Sequence, residues 1–196
     1  MKRNPNTITL GSGKLYIKEF KESIGDVAQL IKDMATDEFL LGRIQGGASL
    51  EYKPNFYTAQ DDFGYVTKTI ITEEEATLKS GICTWNGTVL EKLCATGRVT
   101  EDTTNGLRIV KIGGISNDNG KVYVILFEHK DAEYGNVYLA IAGRNTAGFS
   151  LAFTKDKETV IDAEFSAQAC DEEGTKIIYA EEIDKASDPV SYTHLR

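Results

Sequence analysis

The chain has 196 residues, 41% of them hydrophobic and 27% charged, which fits one globular domain and argues against gross disorder. Its formal net charge of −8 argues against a surface that binds phosphates, because such surfaces concentrate Lys and Arg. The cysteines, Cys83, Cys94 and Cys170, lie at wide and unpatterned spacings. This spacing argues against a disulfide framework or a zinc knuckle and favours a reducing compartment.

The amino-terminal residues predict an arm. Residues 1–13 are polar and contain Pro5 and a turn-forming Gly-Ser-Gly sequence at 11–13, so we expect them to order only against a neighbouring subunit. The basic residues at the start are followed by no apolar run, and no apolar stretch reaches membrane-spanning length. We therefore expect no cleavable signal peptide and no membrane span.

The first predicted strand covers residues 14–20, which alternate regularly. Residues 21–45 suit a strand poorly. Within them, apolar residues recur at helical spacing after Asp26, a good capping residue, and these are Val27, Leu30, Ile31 and Met34. We expect a long connection with one or two helical turns.

Next comes a predicted hairpin. Residues 46–53 alternate as in a half-buried strand, which Pro54 is expected to end. Residues 55–65 combine aromatic side chains, an Asp-Asp pair and a glycine, which predicts an extended hairpin tip, and residues 66–72 return as a strand.

The stretch that follows is ambiguous. Thr72 and Glu75 form a capping-box pattern, whereas residues 76–82 alternate between apolar and polar positions. We predict a strand over residues 75–85.

The clearest helix is predicted over residues 87–96. Asn86 is its cap, Gly97 ends it, and its apolar core stripe is formed by Val89, Leu90 and Leu93. A lone amphipathic helix among strands is expected to lie across the end or flank of a sandwich and to cover Trp85.

More strands are predicted after this helix, separated by turn signals. They cover residues 107–112, 121–129, 136–144, 149–154, 159–169 and 175–181. Together they predict an all-β fold, a two-sheet antiparallel sandwich or barrel with one flanking α-helix. We expect this domain to occupy residues 14–182, followed by an acidic tail over residues 183–196.

The order of these elements resembles the tail tube proteins, or major tail proteins, of phages and phage-like particles. The resemblance is carried by segments at residues 13–20, 46–52, 72–82, 84–86, 143–148 and 159–167. None of them is a catalytic signature, and the specificity lies in their series. From about residue 188 the chain departs from the pattern, and Asp-Pro-Val-Ser-Tyr-Thr-His-Leu-Arg resembles translated sequencing-adapter readthrough. We interpret that segment as non-native.

The resemblance implies a function in assembly. Protomers would form hexameric rings in which one sheet of each subunit joins a continuous β-barrel around a lumen. Stacked rings would conduct DNA as a non-specific cargo during ejection. The implied partners are copies of the same chain and the tape measure, tail terminator and baseplate or tip proteins. The implied location is the virion, after assembly in the host bacterial cytoplasm.

Two candidate surfaces follow. In the strand over residues 159–169, one polar and partly acidic face suits a lumen wall, and its residues are Asp162, Glu164, Ser166 and Gln168. An ordinary solvent-facing sheet surface would show the same pattern. The hairpin tip suits a contact between rings, and its candidate residues are Phe56, Tyr57, Asp61, Asp62, Phe63 and Tyr65. The alternative is that these aromatic rings fold back onto their own domain.

Other chemistry finds little support in the sequence. His129 and His194 assemble no metal triad or acid-base pair with the cysteines. The glycine pairs lack the helix and Lys of a phosphate cradle, and the acidic pairs lack the ligand spacing of a calcium loop. We expect no enzyme and no cofactor. A phage β-sandwich module for recognition or capsid decoration, contacting a protein or cell-surface partner through the tip, is the alternative function.

Overall fold

The computed structural model describes residues 3–184; the sequence-based interpretation of residues 185–196, including His194, lies outside this part. Strands account for 45% and helices for 12% of the structure, which confirms a mostly β fold. The strands are β1 (Lys14–Glu19), β2 (Leu40–Gln60), β3 (Thr67–Ile82), β4 (Arg98–Asp102), β5 (Leu107–Lys111), β6 (Tyr123–His129), β7 (Val137–Asn145), β8 (Ile161–Gln168) and β9 (Ile178–Glu181). The helices are α1 (Val27–Met34) and α2 (Gly87–Leu93), with short 3-10 turns at Asp37–Phe39 and Ile115–Asn117.

The large sheet closes on itself. Its strand order is β6-β1-β2-β3-β8-β7-β9, and β6 also pairs with β7. All of these pairings are antiparallel. Strands β6, β1, β2, β3, β8 and β7 therefore form a closed barrel, and β9 continues along β7 beyond the end of β8. Strands β4 and β5 form a separate small sheet.

The barrel has one core inside and another on part of its outer surface. Because successive side chains of a strand point to opposite faces, β6 serves both cores. Ile125 and Phe127 point inward, whereas Val124 and Leu126 belong to the outer cluster. Helix α1 covers this outer cluster with the fully buried Met34. Strand β6 is consequently buried along its whole length.

Both helix caps predicted from the sequence are confirmed. The Asp26 carboxylate accepts a 3.0 Å hydrogen bond from the backbone N–H of Gln29 at the start of α1. Oδ1 of Asn86 accepts hydrogen bonds from the N–H groups of Thr88 and Val89 at the start of α2. The fold therefore has two flanking helices, where the sequence predicted one helix and some helical turns.

Several elements differ from the sequence-based predictions. Strand β2 does not end at Pro54 but continues to Gln60. Helix α2 ends at Leu93, before the predicted residue 96, and Gly97 lies beyond it as a close neighbour of Glu91. Residues 149–154 are not a strand, although Phe149 and Leu151 still pack against the inner core. Strand β4, with Val99 as its one apolar residue, was not predicted.

The amino-terminal arm already has partners in its own protomer, contrary to the expectation that it orders only against a neighbour. Nη2 of Arg3 lies 2.9 Å from Oδ2 of Asp131, and both side chains are largely buried. At the other end of the arm, Nδ1 of His129 is 2.8 Å from the carbonyl oxygen of Ser12. Among residues 3–184, no helix is long and apolar enough to cross a membrane.

Candidate assembly surface

The β2–β3 hairpin extends well beyond the barrel. Strand β1 pairs with β2 only as far as Arg43, and β8 pairs with β3 only over residues 77–82. Residues 52–60 and 67–76 therefore pair only with each other, and residues 48–51 pair with residues 77–80 at the base of the hairpin. Among residues 3–184, no third strand pairs with the outer edge of residues 48–60 or of residues 67–76. At about 3.3 Å a residue, residues 67–76 span about 30 Å. We call this segment, residues 48–76, the hairpin arm.

An unpaired edge explains how β2 continues through proline. Pro54 has no N–H to donate, so it is tolerated where one edge of the strand has no ladder to complete. It pairs with Glu74 in the arm, and a register shift follows directly between Asn55 and Phe56. A second irregularity lies between Gln45 and Ala48, where β2 leaves the barrel. The sequence alone could not show that this proline lies on a free edge.

The arm exposes apolar side chains on both faces. Phe56 lies opposite Ile71, and the next pair, Tyr57 and Ile70, points to the other face. All four are exposed, with Phe56 and Tyr57 at 61% and 59%. The sequence pattern indicates the aromatic residues but not Ile70 and Ile71 as candidate contacts. Their alternation resembles that of an ordinary strand, and only the exposure of these four side chains in the structure shows that both faces are uncovered at this point of the arm.

The loop at the end of the arm is held by Asp61. Its backbone N–H donates to the carbonyl of Val66, and its carboxylate accepts a 2.8 Å hydrogen bond from the N–H of Val66. Gly64 has a φ of 72°, which a residue with a Cβ rarely adopts. Asp61 thus shapes the loop, whereas Asp62 is simply exposed.

Two aromatic rings stack at the tip of this loop. The centroids of Phe63 and Tyr65 are 6.1 Å apart, and the planes are inclined by 25°. The two side chains are 81% and 86% exposed, so they do not fold back onto their own domain. Aromatic rings contribute a large apolar area when they are buried, so an exposed pair of this kind suits contact with another molecule.

The proposed lumen residues share the outward face of β8. Asp162, Glu164, Ser166 and Gln168 alternate with Ile161, Ala163 and Phe165, which are buried in the barrel. The carboxylate of Glu164 lies 3.1 Å from Nζ of Lys79 on β3. The hydroxyl of Ser166 is 2.8 Å from that of Thr146. Gln168 lies opposite Ala142, near the outer cluster, and so is at the margin of this face.

This polar face continues from β8 onto the hairpin arm. Its charged members on β2, β3 and β8 are Glu51, Lys53, Glu73, Glu75, Lys79, Asp162 and Glu164. The acidic residues outnumber the basic ones, so the face repels polyanions. We call it the β2–β3–β8 polar face.

The α2 stripe has a structural position. Val89 and Leu93 are buried in the inner core, and Leu90 packs against it. The Asn145 side-chain amide donates a 3.0 Å hydrogen bond to the Leu93 carbonyl and ties α2 to the end of β7. Trp85 is half-buried and donates from Nε1 to the carbonyl of Thr159. These residues seal one end of the barrel.

Neither family models nor curated proteins match this chain. Within residues 3–184, no group of three or more His, Cys, Asp or Glu side chains is placed to hold a metal ion.

Proposed function

We propose that this chain is the structural subunit of a phage or phage-like tail tube, assembling into stacked hexameric rings whose lumen conducts DNA. The observation that carries the proposal is the hairpin arm, whose two long outer edges have no strand partner in the described part of the chain. A long unpaired edge presents free N–H and C=O groups with which a strand of another chain can pair. In a ring, each edge meets the edge of a neighbour, and closure leaves none free.

The polar face supports the same function. If subunits join edge to edge through the arm, their β2–β3–β8 polar faces become one continuous surface. An acidic wall would let DNA pass without binding it, since affinity for nucleic acid depends on neutralising phosphates with Lys and Arg. In this arrangement Asp162, Glu164 and Ser166 line the lumen, with Gln168 at its margin.

The arm also fits contact between rings. It projects along the strand direction, and its tip carries the stacked pair Phe63 and Tyr65. Tape measure, tail terminator and baseplate or tip proteins would meet the inside and the two ends of the tube. The virion is the corresponding location.

Electron microscopy of the purified protein, combined with light scattering, tests the proposal. We expect rings of six subunits at high concentration and tubes built from them. The matched variant replaces Asp162 and Glu164 with Lys, which should leave the rings intact but make them retain DNA at low salt. A protein that stays monomeric at every concentration, with a native circular dichroism spectrum, would contradict the proposal.

A recognition or decoration module is the second candidate, because the exposed Phe63 and Tyr65 pair also suits contact with a foreign partner. Such a protein would bind bacterial cells or capsids as a monomer or a closed trimer. Binding of the labelled monomer to cells, lost on Phe63→Ser with Tyr65→Ser, would favour this second function.

A further inference from the structure

The hairpin arm and the β4–β5 sheet lie at opposite ends of the barrel. Strand β3 runs from the tip of the arm into the barrel and ends at Ile82, four residues before the Asn86 cap of α2. Val110 of β5 lies against α2, because a Cβ built on Gly87 would be 2.8 Å from its Cγ2. The small sheet is therefore attached to the end from which the arm points away.

The face of the small sheet that turns away from α2 is apolar and basic. Val99 and Val110 are paired on the α2 side, so the residues that alternate with them point outward. These are Arg98, Thr100, Asp102, Leu107, Ile109 and Lys111, which we call the β4–β5 outer face. Leu107 is 56% exposed and Ile109 37%.

Two cations meet on this face without a compensating acid. Arg98 and Lys111 lie directly opposite each other, an arrangement that is unfavourable for like charges. Neither takes part in an ion pair within residues 3–184. Asp102 lies at the far end of the face, beside the turn, and is engaged with Asn105.

The tip of the arm has the complementary character. Its loop carries Asp61 and Asp62, neither of which is in an ion pair in the described part of the chain, beside the exposed Phe63 and Tyr65. Acidic and aromatic groups at one end thus match basic and aliphatic groups at the other.

We propose that the β4–β5 outer face of one copy receives the hairpin tip of a second copy. Phe63 and Tyr65 pack on Leu107 and Ile109, and Asp62 pairs with Lys111. The contact joins two different surfaces, so it is head-to-tail and repeats along an axis. This inference rests on the proposed function, because in a tail tube this contact would join successive rings.

A mixing experiment tests this proposal. The tip variant, Phe63→Ser with Tyr65→Ser, keeps an intact outer face, and the outer-face variant, Ile109→Asp, keeps an intact tip. Analytical ultracentrifugation should show that the association constant of each variant alone is at least about tenfold lower than that of the wild type. Mixed in equal amounts, they should pair through the one intact contact and stop there. Ile183→Asp is the control, because it also changes an exposed isoleucine. Ile183 follows β9, near the end of β7 that lies away from α2, and this variant should associate as the wild type does.

A charge exchange adds a second measurement. Lys111→Asp alone should weaken axial association, and adding Asp62→Lys in the same chain should restore it. The proposal is overturned if mixing gives no gain, if Ile109→Asp associates as the wild type does, or if the exchange restores nothing. Ring formation is scored separately by electron microscopy. If mixing restores association but no rings form, the tail tube function is rejected and the contact between tip and outer face is kept. If rings form but mixing gives no gain, the contact is rejected and the tail tube function is kept.

Discussion

The hydroxyl of Tyr16 donates a 2.8 Å hydrogen bond to Oε2 of Glu128 beneath the outer surface of the barrel. Both residues are almost fully buried, at 1% and 3% exposure. The ammonium of Lys130 lies 3.7 Å from the other carboxylate oxygen. This short network connects β1 to β6 at the end of the barrel where the amino-terminal arm lies.

Replacing Tyr16 with Phe should destabilise the protomer. The change removes the donor and leaves a buried carboxylate oxygen without its partner, which costs about 1–3 kcal/mol. Denaturant unfolding measures the difference. Tyr57→Phe, in the exposed arm, is the matched control and should leave the midpoint unchanged; an equal effect of both variants would contradict the role given to Glu128.

Alkaline pH should reveal the same network. Burial, followed by the hydrogen bond to Glu128, raises the pKa of Tyr16 above its ordinary value of 10.0. A raised folded-state pKa means that this stability is complete below the unfolded-state value and is lost as pH rises towards the folded-state value. The melting temperature of the wild type should therefore fall more steeply than that of Tyr16→Phe above about pH 10. Parallel pH profiles would exclude this contribution.

Charging the α2 stripe should unfold the domain. Leu93→Asp places a carboxylate in the inner core, and Leu90→Asp does so at its margin, at a cost on the order of several kcal/mol. Leu10→Asp is the matched control, since Leu10 is exposed on the amino-terminal arm. Circular dichroism melting should show loss of the cooperative transition for Leu93→Asp alone or with Leu90→Asp. A normal transition would mean that α2 does not seal the barrel.

Removing four exposed aromatic groups from the outer part of the hairpin arm should spare the protomer. With Phe56, Tyr57, Phe63 and Tyr65 replaced by Ser, the melting temperature should stay close to that of the wild type, because these side chains bury little within the protomer. Phe165→Ser, in the inner core, should unfold it. Association should be lost in the arm variant, as sedimentation measures. Normal tubes from this variant would show that the arm does not connect rings.

The amino-terminal arm should detach in acid. The backbone N–H groups of Tyr134 and Glu133 donate hydrogen bonds to the Asp131 carboxylate and, with the Arg3 guanidinium, lower its pKa below the ordinary value of 3.8. A lowered folded-state pKa gives stability that is present above the unfolded-state value and lost as pH falls through the folded-state value. Proteolysis near Arg3 should accelerate as pH drops below about 4. Asp131→Asn should show that acceleration already at neutral pH, and Asp62→Asn should not.

Many elements were predictable because their signals are local. Alternation over residues 14–20 and 159–169 predicts β1 and β8, and the side chains of Asp26 and Asn86 cap their helices without help from distant residues. Strand β4 was missed because one apolar residue, Val99, is too little for a pattern. The end expected at Pro54 was wrong because a proline stops a strand only where its N–H is needed.

The sequence by itself determined which side chains share a face: the alternation of Asp162, Glu164 and Ser166 with Phe165, and the clustering of Phe63 with Tyr65, follow from a period of two and from chain proximity. Only the tertiary structure decided what covers each face. Pairing of β6 with β7 closes the barrel, and α1 covers one part of its outside. Within residues 3–184, no third strand pairs with the outer edges of residues 52–60 and 67–76, which leaves the outer part of the hairpin arm exposed. Covering a face requires a contact between residues distant in sequence, and local periodicity carries no information about that contact.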